Sequence, residues 1–238
     1  MGGDAQVYDN AQVYENAWVH GNAVLYGYTR VYGSAIVQHN ARVYGKTEVF
    51  DNAYVRGDVH VRDRAKVCGK AQIYDFAVLD GYAVVCDSAV VFQLAKITKH
   101  ACVGGEAWIT GFAEIAGEAH ISGKARIRGN ARVAGSAIVV DAKLTGDACV
   151  DSNAEILNPE MVFCLERTSP DGGALTVYNG KNDTLLVNYG RGWRTTELDE
   201  RAENLIFDIA KSQIESGRER YKTEGKWQKL KEYKDDFL

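Results

Sequence analysis

Residues 40–57 read NARVYGKTEVFDNAYVRG, and they repeat one pattern of six residues three times. In each six, an aliphatic residue follows a small residue two positions earlier and precedes Gly or Asp two positions later. The same step of six runs from Val7 to Ile156 and is shortened once, to five, between Val139 and Leu144. All 26 aliphatic positions hold Val, Ile or Leu. The position two residues earlier is Ala in 23 of the 26 cases, and the exceptions are Thr29, Thr47 and Val59.

Each repeat of six residues predicts a short strand followed by a corner. The Ala and the aliphatic residue are two apart, so both point to one side of a strand. The pairs G-N, G-S, D-N and G-K that follow are turn residues, because Gly, Asn and Asp tolerate a positive φ. Three strands and three corners close a triangle of about 18 residues, whose narrow interior Ala and a branched aliphatic residue can fill. A helix is excluded, because steps of about 100° per residue would scatter the aliphatic positions around it.

This pattern resembles the hexapeptide-repeat superfamily over about residues 4–157. The resemblance implies a mainly β protein, a left-handed parallel β-helix with three sides and about 18 residues per coil. It also implies a trimer of parallel prisms. The general preference for right-handed crossovers would not have predicted that handedness.

Residues 158–238 follow a different pattern and predict a small α+β cap. Asn158-Pro159 breaks the repeat, MVFCLE predicts a strand, and ALTVY and TLLVNY predict two strands joined by NGKND. An apolar stripe predicts a helix of about 20 residues, and a second helix is predicted from about Glu224. The stripe consists of Leu198, Ala202, Leu205, Ile209 and Ile214, and the second helix carries Trp227, Leu230 and Phe237. We expect this cap, a β-hairpin with two helices, to cover the open end of the prism, where an exposed strand edge would invite polymerisation.

The stretch LTVYNGKNDTLLVNYGRGWRTTELDE is similar to the tails of bacterial and prophage-encoded hexapeptide-repeat proteins that end in a short α+β unit. That similarity implies no activity.

Composition narrows the function classes. The chain has 28 Lys and Arg against 32 Asp and Glu, a net charge of −4, which disfavours nucleic-acid binding by counterion release. No stretch approaches 18 apolar residues, so no membrane span is predicted. The N-terminal stretch MGGDAQVYDN has neither the basic nor the apolar region of a secretory signal, and five Cys have no regular spacing. The sequence therefore predicts a cytoplasmic protein.

Stacking the sequence in steps of three repeats places an apolar set of side chains on one outer face. A continuous exposed apolar face is typical of an interface, and we interpret this one as a contact between subunits, with a ligand surface as the alternative. The predicted interface residues are Trp18, Ile36, Tyr54, Tyr74, Val90, Phe92 and Trp108. On the other faces the same stacking predicts two aromatic ladders, Tyr14-Tyr32-Phe50 and Tyr8-Tyr26-Tyr44, which stabilise neighbouring strands.

Below the first ladder the stacking brings Cys68, Cys86, Cys102 and His120 together. Cys86, Cys102 and His120 are a candidate for a soft metal site, and His120 with Cys102 is a catalytic candidate, with Glu118 beside the imidazole. The alternative is that the cysteines are small apolar filler at an interface. In the tail, Arg191, Trp193 and Arg194 could contact a nucleotide or a phosphate, since Trp stacks on planar rings and Arg binds phosphate.

The function that the sequence favours is a non-catalytic oligomeric scaffold or binding module, with the chain itself as partner (a homotrimer) together with an unidentified protein or small molecule. The repeat extrudes no loop, no P-loop, dinucleotide-binding or G-x-S-x-G motif is present, and no cofactor is predicted. One alternative is an acyltransferase with an acyl-CoA donor, the best-known enzyme class of the superfamily, which generally uses a His as general base. Another is a protein that sequesters a small phosphate-bearing molecule, which would fit a phage origin.

Overall fold

The structure is a computed structural model that describes residues 2–151, 153–166, 174–179, 185–189, 208–216 and 218–219. Each of the 26 repeats forms one strand, β1 to β26, and two or more corner residues turn the chain into the next strand. Every third strand joins the same parallel sheet, so three sheets wind around one axis. The prediction of a three-sided parallel β-helix is therefore confirmed.

The three sheets are called A, B and C here, and coil n holds the nth strand of each sheet. Sheet A contains β1 (Gln6–Val7), β4 (Val24–Gly27), β7 (Arg42–Gly45), β10 (His60–Val61), β13 (Val78–Leu79), β16 (Lys96–Ile97), β19 (Glu114–Ile115), β22 (Arg132–Val133) and β25 (Cys149–Val150). Sheet B contains β2 (Gln12–Val13), β5 (Arg30–Val31), β8 (Glu48–Val49), β11 (Lys66–Val67), β14 (Val84–Val85), β17 (Cys102–Val103), β20 (His120–Ser122), β23 (Ile138–Val140) and β26 (Glu155–Ile156). Sheet C contains β3 (Trp18–Val19), β6 (Ile36–Gln38), β9 (Tyr54–Arg56), β12 (Gln72–Ile73), β15 (Val90–Val91), β18 (Trp108–Ile109), β21 (Arg126–Ile127) and β24 (Lys143–Leu144).

The register of every sheet follows the sequence repeat, because each residue pairs with its equivalent three repeats further on. Val43 pairs with Val61 on sheet A, and Val49 pairs with Val67 on sheet B. The repeated Ala and aliphatic side chains fill the interior, and from Val19 to Ile156 they are almost completely inaccessible to solvent. Before Val19, the corresponding residues of the first coil are only partly buried. The core is thus one continuous column that runs along the axis of the prism.

The corners are held by left-handed backbone and by side chains that reach the next coil. Asp51 and Asp87 adopt φ values of 58° and 57°. Their carboxylates accept hydrogen bonds from the backbone N–H of Gly69 (3.0 Å) and Gly105 (2.7 Å), one coil further on. These bonds tie consecutive corners together along the edges of the prism.

The single five-residue step is absorbed at one corner. Between β23 and β24 only Asp141, with φ 53°, and Ala142 separate the strands. The Asp141 carboxylate accepts a hydrogen bond from the backbone N–H of Lys124 at 2.7 Å. Leu144 remains in register with Ile127, so the missing residue leaves the stacking intact.

The chain leaves the β-helix through a short 3-10 helix, Pro159–Met161, which Asn158 caps through its side-chain oxygen. Strands β27 (Val162–Glu166), β28 (Ala174–Asn179) and β29 (Leu185–Tyr189) then form an antiparallel sheet in the order β27-β28-β29. These three strands lie where the sequence predicted them. Residues 208–216 and 218–219 are helical.

The predicted apolar stripe of this helix needs a correction. Ile214 and Ala210 are fully buried, whereas Ile209 is 51% exposed, so Ala210 rather than Ile209 faces the protein. Leu198, Ala202 and Leu205 lie outside the described residues, as does the second predicted helix with Trp227, Leu230 and Phe237. Among the described residues, no helix is long and apolar enough to cross a membrane.

The antiparallel sheet packs on the last coil of the β-helix. The Tyr178 hydroxyl donates to the Asp151 carboxylate at 2.8 Å and accepts from the Asp151 backbone N–H at 3.2 Å. The Asn179 amide donates to the Glu155 carbonyl at 2.8 Å, and the Thr176 hydroxyl accepts from the Cys149 N–H at 3.1 Å. Backbone groups at the end of sheets A and B are thus bonded to side chains of β28.

Candidate functional site

The outward side chains of sheet C stack in two columns. One column runs through Trp18, Ile36, Tyr54, Gln72, Val90, Trp108 and Arg126 in direct register. The second lies on the other side of the buried aliphatic residues and includes His20, Gln38, Arg56, Tyr74 and Phe92. The structure therefore brings all seven predicted interface residues onto one face of the prism.

The aromatic side chains of this face contact one another. The rings of Phe92 and Trp108 meet edge to face with centroids 6.1 Å apart, and the Arg126 guanidinium lies 4.3 Å from the centre of the Trp108 ring. Nearer the N-terminal end, Tyr54 and Tyr74 meet edge to face at 5.8 Å. Trp18 remains 55% exposed and Trp108 44% exposed. The face is thus an ordered apolar surface with large exposed rings.

The charge distribution also distinguishes sheet C. No Asp or Glu occupies the outward positions of its strands, while Arg56, Arg126, Arg128 and Lys143 do. Ion pairs within the described part of the chain lie on the other two sheets: Arg62–Asp80 (2.6 Å) and Arg132–Glu114 (3.8 Å) on sheet A, and Glu48 with Arg30 and with Lys66 (3.0 Å) on sheet B. The cations of sheet C are therefore left without an ion-pair partner among the described residues.

The edge between sheets C and A carries an exposed apolar row that the sequence reasoning missed. Phe76, Leu94 and Phe112 occupy equivalent corner positions in successive coils and are 56%, 44% and 64% exposed. Other coils have polar residues in this row, with Asn22 donating to Asn40 (3.2 Å) and Asn130 donating to Asp147 (2.8 Å). The sequences D-F-A, Q-L-A and G-F-A, with an apolar residue where Asn is usual, were the available signal. We call Phe76, Leu94 and Phe112 the edge row.

A groove of about 430 Å³ lies at the same edge of the prism, and Phe76 of the edge row forms part of its lining. Gly57 lies between the corners of His39 and Asp75 and forms part of its surface. The lining consists of His39, Arg56, Gly57, Asp58, Tyr74, Asp75 and Phe76. Asp58 accepts a hydrogen bond from Asn40 (2.8 Å), and Asp75 accepts one from the Gln93 N–H (3.2 Å). A histidine, an arginine and two carboxylates thus share one concave site, of which the sequence singled out only Tyr74.

Sheet B carries one predicted aromatic ladder. Tyr14, Tyr32 and Phe50 stack in parallel with successive centroids 5.0 Å apart, which confirms that prediction. On sheet A, Tyr26 and Tyr44 stack at 4.8 Å. Tyr8 does not join them by a ring contact within the described residues; it is 51% exposed and its hydroxyl donates to Gln6 at 2.8 Å.

Beyond Phe50, small side chains continue the column of sheet B. Cys68 and Cys86 follow one another, Cys102 lies in the adjacent column in register with His120, and Cys86 and Cys102 are each only 6% exposed. A hydrogen bond with Cys86, together with burial, raises the pKa of Cys68. A hydrogen bond with Cys102, together with burial, raises the pKa of Cys86. Both groups are therefore neutral thiols at pH 7, which is the opposite of an activated nucleophile.

This arrangement does not support the metal-binding and catalytic candidates of the sequence analysis. Within the described ranges, no group of three or more His, Cys, Asp or Glu side chains could hold a metal ion, which argues against the metal interpretation of Cys86, Cys102 and His120. The His120 side chain is exposed, and the Glu118 carboxylate accepts a hydrogen bond from Ser136 at 3.3 Å. Arg191, Trp193 and Arg194 lie outside the described residues, so their predicted contact with a phosphate stays a prediction.

The comparison with known protein families agrees with the β-solenoid fold of the structure. The family model described as YdcK Beta solenoid repeat matches residues 5–27, which span the first coil and the start of the second. No curated protein matches the chain.

Two solved structures show partial likeness. A UDP-N-acetylglucosamine acyltransferase from Campylobacter jejuni is 15% identical, with a TM-score of 0.38 over 60% of this chain and 71% of that one. A Bacillus cereus protein named as a putative acetyltransferase is 12% identical, with a TM-score of 0.29 over 92% of this chain and 99% of that one. At these values neither likeness bears on the chemistry of this chain. What the chain shares with known families is thus a β-solenoid repeat.

Proposed function

We propose that the chain is a non-catalytic, cytoplasmic scaffold or binding module that assembles with copies of itself, as a trimer, through sheet C and the edge row. The observation that carries this proposal is the exposed apolar surface that runs from Trp18 and Trp108 on the sheet to Phe76, Leu94 and Phe112 on the edge. Large exposed apolar surfaces of this kind mark interaction sites. Aromatic residues and Arg are the side chains that interfaces favour most.

The energetics support burial of this surface. Burying a large apolar side chain contributes roughly 1.5–3 kcal/mol, so a few such residues can offset the entropy lost on association. The rings of Phe92 and Trp108 are already fixed by their edge-to-face contact, and Arg126 lies over the Trp108 ring. Little side-chain freedom therefore remains to be lost when a partner covers them.

The experiment is a mass measurement by light scattering on the full chain and on Trp108→Glu. We expect the wild-type protein at three times the 26.2 kDa chain mass. The variant should shift toward the monomer, because an interface cannot bury the new carboxylate without a large desolvation cost. Tyr8→Glu is the matched control, since Tyr8 is similarly exposed (51%) but lies on the outward face of sheet A. A monomeric wild-type protein, or an unchanged mass of the Trp108 variant, would refute the proposal.

The groove at His39 favours one second function, an acyltransferase. The His39 imidazole and the carboxylates of Asp58 and Asp75 line the same concave site, and these are the group types from which a general base and its acidic neighbour are built. Acetyl-CoA should then stabilise the protein saturably and donate its acetyl group to an amine or a hydroxyl. Both effects should be lost in His39→Gln and kept in His20→Gln. Absence of both effects in the wild-type protein would reject this alternative.

A further inference from the structure

At the same height on the prism, that is in the same coils, the outward surface of sheet B is flat where that of sheet C is raised. In coils 4 to 6, one outward column of sheet B holds Cys68, Cys86 and Gly104, directly after the tall stack that ends at Phe50. The surface of sheet B thus becomes low and flat there, with Cys86 and Gly104 buried.

In the same three coils, sheet C carries large aromatic side chains. Tyr74, Phe92 and Trp108 extend from coils 4, 5 and 6, and the Phe92 and Trp108 rings contact each other. In coils 4 to 6, sheet C therefore has a raised surface, and sheet B has a flat, nearly uncharged surface of equal length. Such a pair can bury apolar area when the two faces come from neighbouring copies.

The charges oppose a contact of sheet C with itself. In a parallel pair related by a twofold axis along the prism, Arg126, Arg128 and Lys143 would face their own copies, and like charges in an interface are costly. Sheet B offers a different environment at that height, because Glu118, on the corner between sheets A and B of coil 7, is exposed. Against sheet C the cations would meet basic groups alone, whereas sheet B offers the acidic Glu118 on one corner and the basic Lys124 on the other.

We propose that sheet C of one copy packs against sheet B of the next, with Tyr74, Phe92 and Trp108 seated over the surface formed by Cys68, Cys86 and Gly104. This inference rests on the self-assembly proposed above and names the second surface that takes part in it. Equal height on both faces means that copies are related by rotation without translation, which closes a ring rather than building a filament.

The raised pKa values of Cys68 and Cys86 agree with this role. A neutral thiol is a small, weakly polar side chain that is commonly buried and that costs little to desolvate. The cysteines of sheet B therefore supply a flat apolar surface with no charge to remove from water.

The test uses the native thiols as partners for a new one. Val90→Cys places a thiol on sheet C in coil 5, the coil of Cys86, and mild oxidation with diamide should then link neighbouring copies by disulfides. The bond should disappear in Val90→Cys combined with Cys68→Ser, Cys86→Ser and Cys102→Ser. Val78→Cys, an equally half-buried valine on sheet A of the same coil, is the matched control and should give no link. Thr110→Cys repeats the test in coil 6, in case the first variant folds poorly.

Each outcome decides between the possibilities. Links between copies that require the native thiols support the contact between sheets C and B. Links that persist without those thiols would join the introduced thiols of two copies and would show that sheet C meets itself, which overturns the inference. An oligomer by light scattering with no link from either new thiol overturns it as well and leaves the proposed function standing. A monomeric wild-type protein removes both.

Discussion

At the level of single residues, the corners decide whether coils can stack. Gly33 has a φ of 70°, and a Cβ added there would lie 2.8 Å from the backbone nitrogen of Asp51 and 2.9 Å from its carbonyl oxygen. Asp51 itself has a positive φ but uses its side chain to accept a hydrogen bond from the Gly69 N–H. These two corners thus have either no side chain or one that bonds to the next coil.

Gly33→Ala should therefore lower the free energy of unfolding by about 1–3 kcal/mol, because it adds left-handed strain to a close backbone contact. Asp51→Asn is the control, since Asn tolerates a positive φ and keeps an oxygen acceptor. Denaturant unfolding followed by circular dichroism measures both. An alanine variant as stable as the asparagine variant would show that the corners relax more easily than their geometry indicates.

At the level of elements, strand β28 connects the antiparallel sheet to the β-helix. Tyr178 is 1% exposed, and its hydroxyl makes both a donated and an accepted hydrogen bond with Asp151. Burial raises the pKa of Tyr178, so the hydroxyl stays protonated and remains a donor over the whole neutral range.

Tyr178→Phe should destabilise this junction by about 1–3 kcal/mol, because the Asp151 N–H loses its acceptor in a partly buried position. Limited proteolysis should then cut the C-terminal part faster than in the wild-type protein, while the β-helix keeps its circular dichroism signal. Tyr28→Phe, at a side chain that is 61% exposed, is the control and should change neither readout. Equal cleavage rates for all three proteins would mean that other contacts hold the sheet in place.

The repeat could be predicted because each six residues carry the whole rule for one strand and one corner. Val43 and Val61 pair in the structure because they are three repeats apart in the sequence, and the same arithmetic placed the predicted interface residues on one sheet. The groove at His39 depends instead on the space that side chains of three successive coils, from His39 to Phe76, leave between them, which no single repeat specifies. In the helix, the side that is buried depends on the surface it packs against, which is why Ala210 and not Ile209 is inside.

At the level of the whole molecule, a solenoid separates stability from assembly. Each coil contacts mainly its neighbours, and the interior column is filled independently of what the edges carry. The edge row of Phe76, Leu94 and Phe112 therefore adds little to the fold, since its side chains are largely exposed. Apolar side chains at the same exposed corner of three successive coils agree with the proposed association, since the fold does not require them there.

Replacing all three edge-row residues by Asn tests this separation. Asn already occupies the row at Asn22, Asn40 and Asn130, where its amide forms hydrogen bonds with the neighbouring coils. We expect the melting temperature of the triple variant, measured at low protein concentration, to stay within a few degrees of the wild-type value or to rise. Its mass by light scattering should fall toward 26.2 kDa. Tyr8→Asn, at an exposed side chain on the outward face of sheet A, is the control and should keep the assembly. If the edge-row variant assembles like the wild-type protein, sheet C holds the copies together without the edge row. If the variant unfolds, the edge row stabilises the fold although its side chains are exposed.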